Sequence, residues 1–206
     1  MPSDSAYEIA AQYYWQPGDR MLLSAGFISN EDDTYATGSM LSVGFEYMQL
    51  DAGFRDHWFS PMNTSSMLIG TQAQTMPSLT VSNYTPLSRW NFRYELFVAE
   101  MSESDRIRFG DGFTSGNPRL AGMHLSVQPL PGFTIGLNRI MQFVGGERGG
   151  NSLRQVVDDF FDPSGDENFD AGTDRCTEFG TQAASITARF MMPTERPFSV
   201  DFDSAG

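Results

Sequence analysis

This chain of 206 residues contains no lysine, one cysteine, two histidines and no long apolar run. Without lysine, the Ser–Lys, P-loop and Schiff-base chemistries are excluded. The lone Cys176 excludes an internal disulfide and a cysteine-based zinc site. No stretch approaches the roughly 20 apolar residues that a membrane-spanning helix requires, and the mean hydropathy is −0.32. The composition therefore excludes an α-helical membrane protein and any lysine-dependent enzyme.

Acidic residues outnumber basic ones by 26 to 13, which gives a net charge of −13. This charge disfavours nucleic acid as a partner, because nucleic acid requires a basic surface. The sequence also lacks the G-x-S-x-G and H-E-x-x-H motifs, and His57 and His124 are far apart in the chain. We therefore expect no catalytic residues, no cofactor and no metal site. The abundant carboxylates leave a glycosidase pair open as an alternative.

Apolar and polar residues alternate in several segments of about ten residues, the length of a transmembrane β-strand. In the first segment every second residue is apolar, namely Tyr7, Ile9, Ala11, Tyr13 and Trp15. In another, Arg93 and Glu95 alternate with Phe92, Tyr94, Leu96 and Val98. Because side chains alternate across a strand, we expect the ionised and apolar sets to occupy opposite faces. The pattern is typical both of a transmembrane β-barrel and of an antiparallel sandwich with one solvated face.

Turn signals divide the chain into further strands. Residues 16–19, Gln-Pro-Gly-Asp, end the first strand before a second over 21–28, and residues 129–132 join two strands into a hairpin. After Tyr47 the apolar phase shifts by one, which indicates a bulge or a very tight reversal within 40–59. Other strands are predicted over 66–74, 78–85, 90–101, 120–128, 132–140 and 179–191, with a last one ending near Phe202.

A long loop over 145–178 interrupts these strands. Within it, Ser152 and Gln155 form a capping box. Apolar residues then follow at helical spacing and predict one short helix, which contains Leu153, Val156, Val157 and Phe160. The acidic loop 158–174 offers carboxylate oxygens, but its spacing does not match an EF-hand, and whether it binds a cation stays open.

The two ends of the chain predict a fragment of a longer protein. The first residues have neither the basic head nor the apolar core of a signal peptide. The last residues stop within a strand-like alternation, without a closing turn. We therefore expect a sheet that does not close on itself and leaves edges at the strand 7–15 and near Phe202.

Three ordered segments carry a family resemblance: GFRDHWFSP at 53–61, SMLIGTQAQTMPSL at 66–79 and NRIMQFVGGERGGNSL at 138–153. They resemble the Wzi capsule assembly family, which has Arg/Asp followed by Trp-Trp-Gly-Pro, a Ser-Leu-Ile-Leu-Ser-x-Asn-Ala-x-Pro-x-Pro segment and a later Arg and Phe-Gly-Gly-Glu. The residues that match are Arg55, Asp56, Trp58, Pro61, Ser66, Leu68, Ala73, Pro77, Arg139, Gly145, Gly146, Glu147 and Arg148. The departures are Phe59, Ser60, Gln72 and Thr75. The resemblance extends over roughly residues 40–192.

The resemblance implies an all-β fold, an antiparallel transmembrane β-barrel that is present here as an incomplete fragment of one domain over 1–206. It implies an outer-membrane protein that binds and anchors capsular polysaccharide at the bacterial cell surface and is not an enzyme. The implied partners are capsular or extracellular polysaccharide and outer-membrane lipid, and the protein is expected to be a monomer. The alternatives are a porin-like diffusion channel and a soluble β-sandwich glycosidase.

Aromatic rings beside arginines and carboxylates are suited to sugars, because rings stack on sugar faces and charged groups bond to hydroxyls. Two such clusters are the predicted carbohydrate-binding residues: Arg55, Asp56, His57 and Trp58 in the first, and Arg139, Glu147 and Arg148 in the second. The alternative for each is structural. Trp58 would then anchor at the membrane interface, and Arg139 would pair with a carboxylate inside the barrel.

Overall fold

A computed structural model describes residues 7–31, 33–62, 66–70, 75–109, 112–147, 157, 160–161, 180–192 and 197–206. The described residues form thirteen β-strands: β1 (Glu8–Gly18), β2 (Met21–Asn30), β3 (Thr34–Tyr35), β4 (Met40–Gly44), β5 (Gln49–Phe54), β6 (Pro77–Ser82), β7 (Arg93–Glu100), β8 (Ser104–Phe109), β9 (Gly112–Gly116), β10 (Arg119–Leu130), β11 (Phe133–Phe143), β12 (Gly180–Met192) and β13 (Phe198–Ala205).

Nearly all strands belong to one antiparallel sheet. Its order is β1-β2-β4-β5-β6-β7-β10-β11-β12-β13, with β3 beside β2, while β8 and β9 form a separate hairpin. Within the described residues, β1 and β13 are the two edge strands, and each pairs with another strand on one side only. The predicted all-β antiparallel fold is therefore confirmed, and so is the prediction that the sheet stays open at these two strands. The single domain over 1–206 stays a prediction.

The two ends of the sheet differ in their connections. At one end, which we call the short-turn end, strands reverse within a few residues, as in β1–β2, β4–β5 and β10–β11. At the β4–β5 reversal the amide of Phe45 donates to the carbonyl of Met48 (2.7 Å), so the phase shift after Tyr47 is a tight reversal. The opposite, long-loop end carries the connections β5–β6, β7–β10 and β11–β12.

The sheet has an apolar exposed face and a polar buried one. On the outer face, large apolar side chains are exposed, for example Leu79 at 60% and Ile186 at 54%. The inner face carries buried polar side chains, namely Ser42, Asp51, Thr80, Ser126, Asn138, Ser185 and Thr187. This distribution reverses that of a soluble domain, in which buried positions are mostly apolar.

Strand β7 shows how the alternation produces these two faces. Leu96 and Val98 are exposed on the outer face, and Phe97 is buried on the inner face. Glu95 contacts other inner-face groups, and Arg93 lines an inner cavity beside it. The predicted separation of ionised and apolar residues along this strand is confirmed.

Two strand predictions differ from the structure. Residues 66–70 of the predicted strand 66–74 are not a strand; they pack on the sheet, where Ile69 is buried against Phe59. The apolar side chains of this segment pack on the sheet, and the segment does not extend it as a further strand. Hydrophobic periodicity alone does not distinguish these two cases. The hairpin β8–β9 was not predicted.

The predicted helix lies mostly outside the described residues. Val157, Phe160 and Phe161 are described and are helical, while the capping box of Ser152 and Gln155 is outside. In the described part of the chain, no helix combines the length and hydropathy needed to cross a membrane.

Gly122 on β10 tests the packing of the inner face. A Cβ atom at this position would lie 2.1 Å from Cε1 of Phe97, whose ring is itself stacked on His57 at 3.7 Å. We expect Gly122→Ala to lower the free energy of unfolding by about 1–3 kcal/mol because the buried ring has little space to move. Gly44→Ala is the control, since its nearest atom is 3.9 Å away. Equal urea-unfolding midpoints for the two variants would contradict this packing.

Candidate functional site

Residues 55–62, which we call the inner segment, leave β5 and lie on the inner face of the sheet. Phe59 is its anchor and is 1% exposed. Its ring lies 5.7 Å from that of Phe97 and 5.6 Å from that of His124, measured between centroids. The side-chain amide of Asn138 donates to the carbonyl of Phe59 (2.9 Å). The segment is therefore held by apolar packing and by a buried hydrogen bond.

Glu95 on β7 holds the beginning of the inner segment. One carboxylate oxygen accepts from Arg55 (2.6 Å), and the other lies 2.8 Å from Nδ1 of His57. Arg55 also pairs with Asp51, and Nε2 of His57 lies 3.2 Å from the hydroxyl of Ser78. The charged side chains of Asp51, Arg55 and Glu95 are thus paired within this network, as charges in a polar interior require.

A row of polar side chains crosses the inner face. Cross-strand register places six residues side by side on β5, β6, β7, β10, β11 and β12, namely Gln49, Ser82, Glu95, His124, Asn138 and Ser185. Some neighbours in this polar row form side-chain hydrogen bonds across adjacent strands. Nδ1 of His124 bonds to Oδ1 of Asn138, and Nδ2 of Asn138 donates to the hydroxyl of Ser185 (2.9 Å).

Two polar cavities lie on the two sides of His124, and we call them together the His124 groove. The first, of about 280 Å³, is bordered by Arg55, Ser82, Arg93 and Glu95. The second, of about 210 Å³, is lined by Trp58, Ser60, Ser126, Thr134, Gly136, Thr187 and Arg189. Both cavities border His124, and each is somewhat smaller than a typical small-molecule site of about 300–1,000 Å³. Their hydroxyl, imidazole and guanidinium groups are suited to a polyhydroxylated ligand.

A third cavity lies toward the long-loop end and has a different character. Its volume is about 610 Å³, and its wall is mostly apolar, with Leu68, Ile69, Met76, Leu120 and Ile140. A sugar would leave hydroxyl groups without partners against such a wall. The chemistry of the site therefore favours the His124 groove over this larger cavity.

The first predicted cluster separates into three roles in the structure. Arg55 and His57 hold the inner segment through Glu95. Trp58 lines the groove, and its Nε1 donates to the carbonyl of Met62 (2.9 Å). Asp56 is exposed. Of this cluster, Trp58 therefore offers an aromatic ring at the groove, whereas Arg55 and His57 are engaged by Glu95.

Of the second predicted cluster, Arg139 lies on the outer face of the sheet and not inside the barrel. Arg139 is opposite Met123 on the outer face, bonds to Gln182 and places its guanidinium 5.7 Å from the ring of Phe160. Glu147 is exposed and its amide donates to Thr114 (3.1 Å). Arg148 is outside the described residues. The described residues of the two clusters therefore do not form one site.

Glu95, Arg93, His124 and Arg189 were not predicted as site residues. The alternation in β7 had placed Arg93 and Glu95 on a polar face, and that signal pointed to them. Arg189 gave no such signal, because its partners are remote: Nε donates to Asp201 (2.6 Å), and its guanidinium bonds to the carbonyl of Pro61.

The described residues contain no group of three or more metal-ligating His, Cys, Asp or Glu side chains. The acidic loop 158–174 lies outside the described residues except for Phe160 and Phe161. Whether that loop binds a cation therefore stays open.

An antiparallel sheet with a polar, side-chain-filled interior and an apolar exterior is typical of the wall of a transmembrane β-barrel. The family model for the capsule assembly protein Wzi matches residues 2–206, so this chain belongs to the Wzi family. The predicted family is therefore confirmed. No curated protein sequence matches the chain.

The fold is similar to that of Wzi from Escherichia coli, with a TM-score of 0.63 and 17% sequence identity. The similarity covers 89% of this chain and 38% of that one, so the chain spans less than half of that relative. The relative is described as an outer membrane protein involved in group 1 capsule assembly and as a carbohydrate-binding β-barrel.

Glu95→Gln tests whether the carboxylate holds the inner segment. The substitution preserves shape but removes the charge that faces Arg55 and His57, so we expect unfolding free energy to fall by about 1.5–3 kcal/mol. Limited proteolysis should also cut within residues 55–62 more rapidly. Asp56→Asn is the matched control, because Asp56 is exposed, and it should change stability by no more than about 0.5 kcal/mol. Equal stability and equal cleavage in both variants would exclude this role.

Proposed function

We propose that this protein is an outer-membrane β-barrel that binds capsular polysaccharide and anchors it at the bacterial cell surface. The observation that carries the proposal is the reversed polarity of the sheet in a member of the Wzi family. An exposed band of Leu, Ile and Val is stable against lipid, whereas in water it would be an aggregation surface. Outer-membrane lipid is accordingly one proposed partner, polysaccharide the other, and the barrel acts as a monomer.

The connections suggest an orientation in the membrane. Outer-membrane barrels have short periplasmic turns and longer extracellular loops. The short-turn end carries exposed aromatic residues, namely Trp15, Tyr47, Tyr84 and Trp90, as in the aromatic girdle at a membrane interface. We place this end toward the periplasm and the long loops, including that after β11, toward the cell exterior.

The interior supports binding over free diffusion. In a porin-like channel the charged side chains would border an open aqueous path. Here Phe59 and its neighbours pack on the inner face, and Arg55 forms ion pairs with both Asp51 and Glu95. The polar groups that remain at cavities surround small volumes, which suits the holding of a ligand.

Within this function, we propose different roles for the predicted carbohydrate-binding residues. Trp58 provides an aromatic wall for a sugar ring, and Arg55 and His57 position the segment that carries it. Arg139, Glu147 and Arg148 are proposed as a separate polysaccharide contact. Arg139 lies on the outer face at the level of Leu96, where it bonds to Gln182 and its guanidinium lies beside the ring of Phe160. None of these residues is proposed to break a glycosidic bond, so the polysaccharide should keep its chain length.

Leu96→Arg tests the membrane-facing surface. Leu96 is near the middle of β7 on the outer face, where an arginine costs about 2–4 kcal/mol in a bilayer. We expect the full-length protein with this change to refold poorly into phosphatidylcholine vesicles. Tyr84→Arg at the short-turn end is the control, since near an interface the cost is about 0–1 kcal/mol. Equal refolding yields would contradict lipid contact at Leu96.

Trp58→Ala tests anchoring in cells. In a strain that lacks the chromosomal gene, the wild-type gene should restore surface capsule, while Trp58→Ala should increase the share of polysaccharide released into the medium several-fold. Loss of a stacking aromatic is worth roughly 1 kcal/mol or more, which accounts for such a change. Trp90→Ala, at an exposed turn, is the matched control.

The chain length of the polysaccharide separates this proposal from an enzyme. Anchoring predicts equal length in the wild-type strain and in both variants. Shorter chains that depend on the intact protein would favour a glycosidase. Full capsule retention without the gene would exclude the anchoring function.

A further inference from the structure

We infer that the His124 groove is a subsite for an acidic sugar and that Arg93 binds its carboxylate. The inference rests on the proposed function and adds the place of binding and the class of sugar. It starts from an asymmetry among the charged side chains of the inner face.

Among the described residues, three arginines and one glutamate are the charged side chains that line the groove. Two of the arginines already have carboxylate partners. Arg55 pairs with Asp51 and Glu95, and Arg189 pairs with Asp201. Arg93 is the first residue of β7, and the alternation along the strand places it on the inner face with Glu95. It has no ion pair or side-chain hydrogen bond with any described residue.

An unpaired guanidinium at a cavity is a ready binding group for a carboxylate. Its planar donors match the two oxygens of a carboxylate, and such bonds are roughly twice as strong as neutral ones. A neutral sugar would gain less from this position, because a hydroxyl engages one donor at a time. The charge of Arg93 therefore favours a uronic acid or another carboxylated sugar.

The floor of the groove continues from Arg93 across the sheet. Cross-strand register places Arg93 opposite Ser126, Ser126 opposite Gly136, and Gly136 opposite Thr187. Three strand spacings separate β7 from β12, about 14 Å in all. This row lies next to the polar row on its short-turn side.

Gly136 keeps this floor open. A Cβ atom there would lie 2.4 Å from the hydroxyl oxygen of Thr187, so any side chain would displace a polar group of the wall. The hydroxyls of Ser126 and Thr187 and the indole of Trp58 line this part. Hydroxyl donors and an aromatic wall complement the body of a sugar, as Arg93 complements its carboxylate.

The test compares two probes that differ in the carboxylate. Trigalacturonic acid and its fully methyl-esterified form are titrated into the full-length protein in detergent by calorimetry. We expect the wild type to bind the acid more tightly, and Arg93→Gln to weaken binding of the acid about ten-fold while leaving the ester unchanged.

Arg89→Gln is the matched control. Arg89 is an exposed arginine at the same end of the sheet, with its guanidinium 5.5 Å from the ring of Trp90, and it does not border the groove. It should leave the affinity for both probes unchanged. Urea unfolding of both variants should match the wild type, because both arginines are exposed.

A third titration uses capsular polysaccharide purified from the producing strain, and it separates the two proposals. If the wild type and Arg93→Gln bind this polysaccharide equally, the groove inference is wrong and the proposed function stands. Wild-type binding to the polysaccharide without preference for trigalacturonic acid over its ester overturns the acidic-sugar assignment. Absence of any binding by the wild type overturns both.

Discussion

The carboxylate of Glu95 joins the inner segment to the sheet. It accepts from Arg55 at 2.6 Å and lies 2.8 Å from His57, so one side chain of β7 fixes two residues that follow β5. A buried carboxylate is costly unless it is paired and hydrogen-bonded. The same requirement that makes Glu95 tolerable inside the sheet therefore also determines where the inner segment lies. Phe59 follows two residues after His57 and is brought over Phe97 and His124.

The position of the inner segment shapes the cavities. Trp58 and Ser60 come from this segment, whereas Ser126, Thr187 and Arg189 come from the sheet, and together they enclose one part of the His124 groove. Arg189 adds a second connection, because its guanidinium bonds to the carbonyl of Pro61 as well as to Asp201. This part of the groove therefore exists only because a loop and three strands, β10, β11 and β12, meet on the inner face.

Polarity connects this site to the membrane environment that we propose. A strand in a barrel wall can carry Leu96 and Val98 toward lipid only if its alternate residues meet partners inside. In the polar row these partners are residues on the neighbouring strands, as in the hydrogen bond between Asn138 and Ser185. The interior is thus filled by bonded side chains, and polar groups remain available to a ligand only where packing leaves a cavity.

The alternation of residues specified much of this architecture. It defined the faces of β7 and indicated either a bulge or a tight reversal after Tyr47, because these depend on local backbone geometry and on side-chain period. The turn residues 129–132 predicted the hairpin of β10 and β11. Ordered motifs at 53–61, 66–79 and 138–153 pointed to the family. The hairpin β8–β9 and the packed conformation of residues 66–70 could not be recognised in this way.

The partners of each inner-face side chain depended on tertiary structure. Glu95 meets residues 38 and 40 positions away, and Arg189 bonds to a carbonyl 128 positions away. Arg55 and Arg139 were both predicted to bind carbohydrate, yet one lies on the inner face and the other on the outer face. Sequence by itself determined which residues share a face, because that property is local. Tertiary structure determined which faces and loops meet, because register and loop packing bring distant residues together.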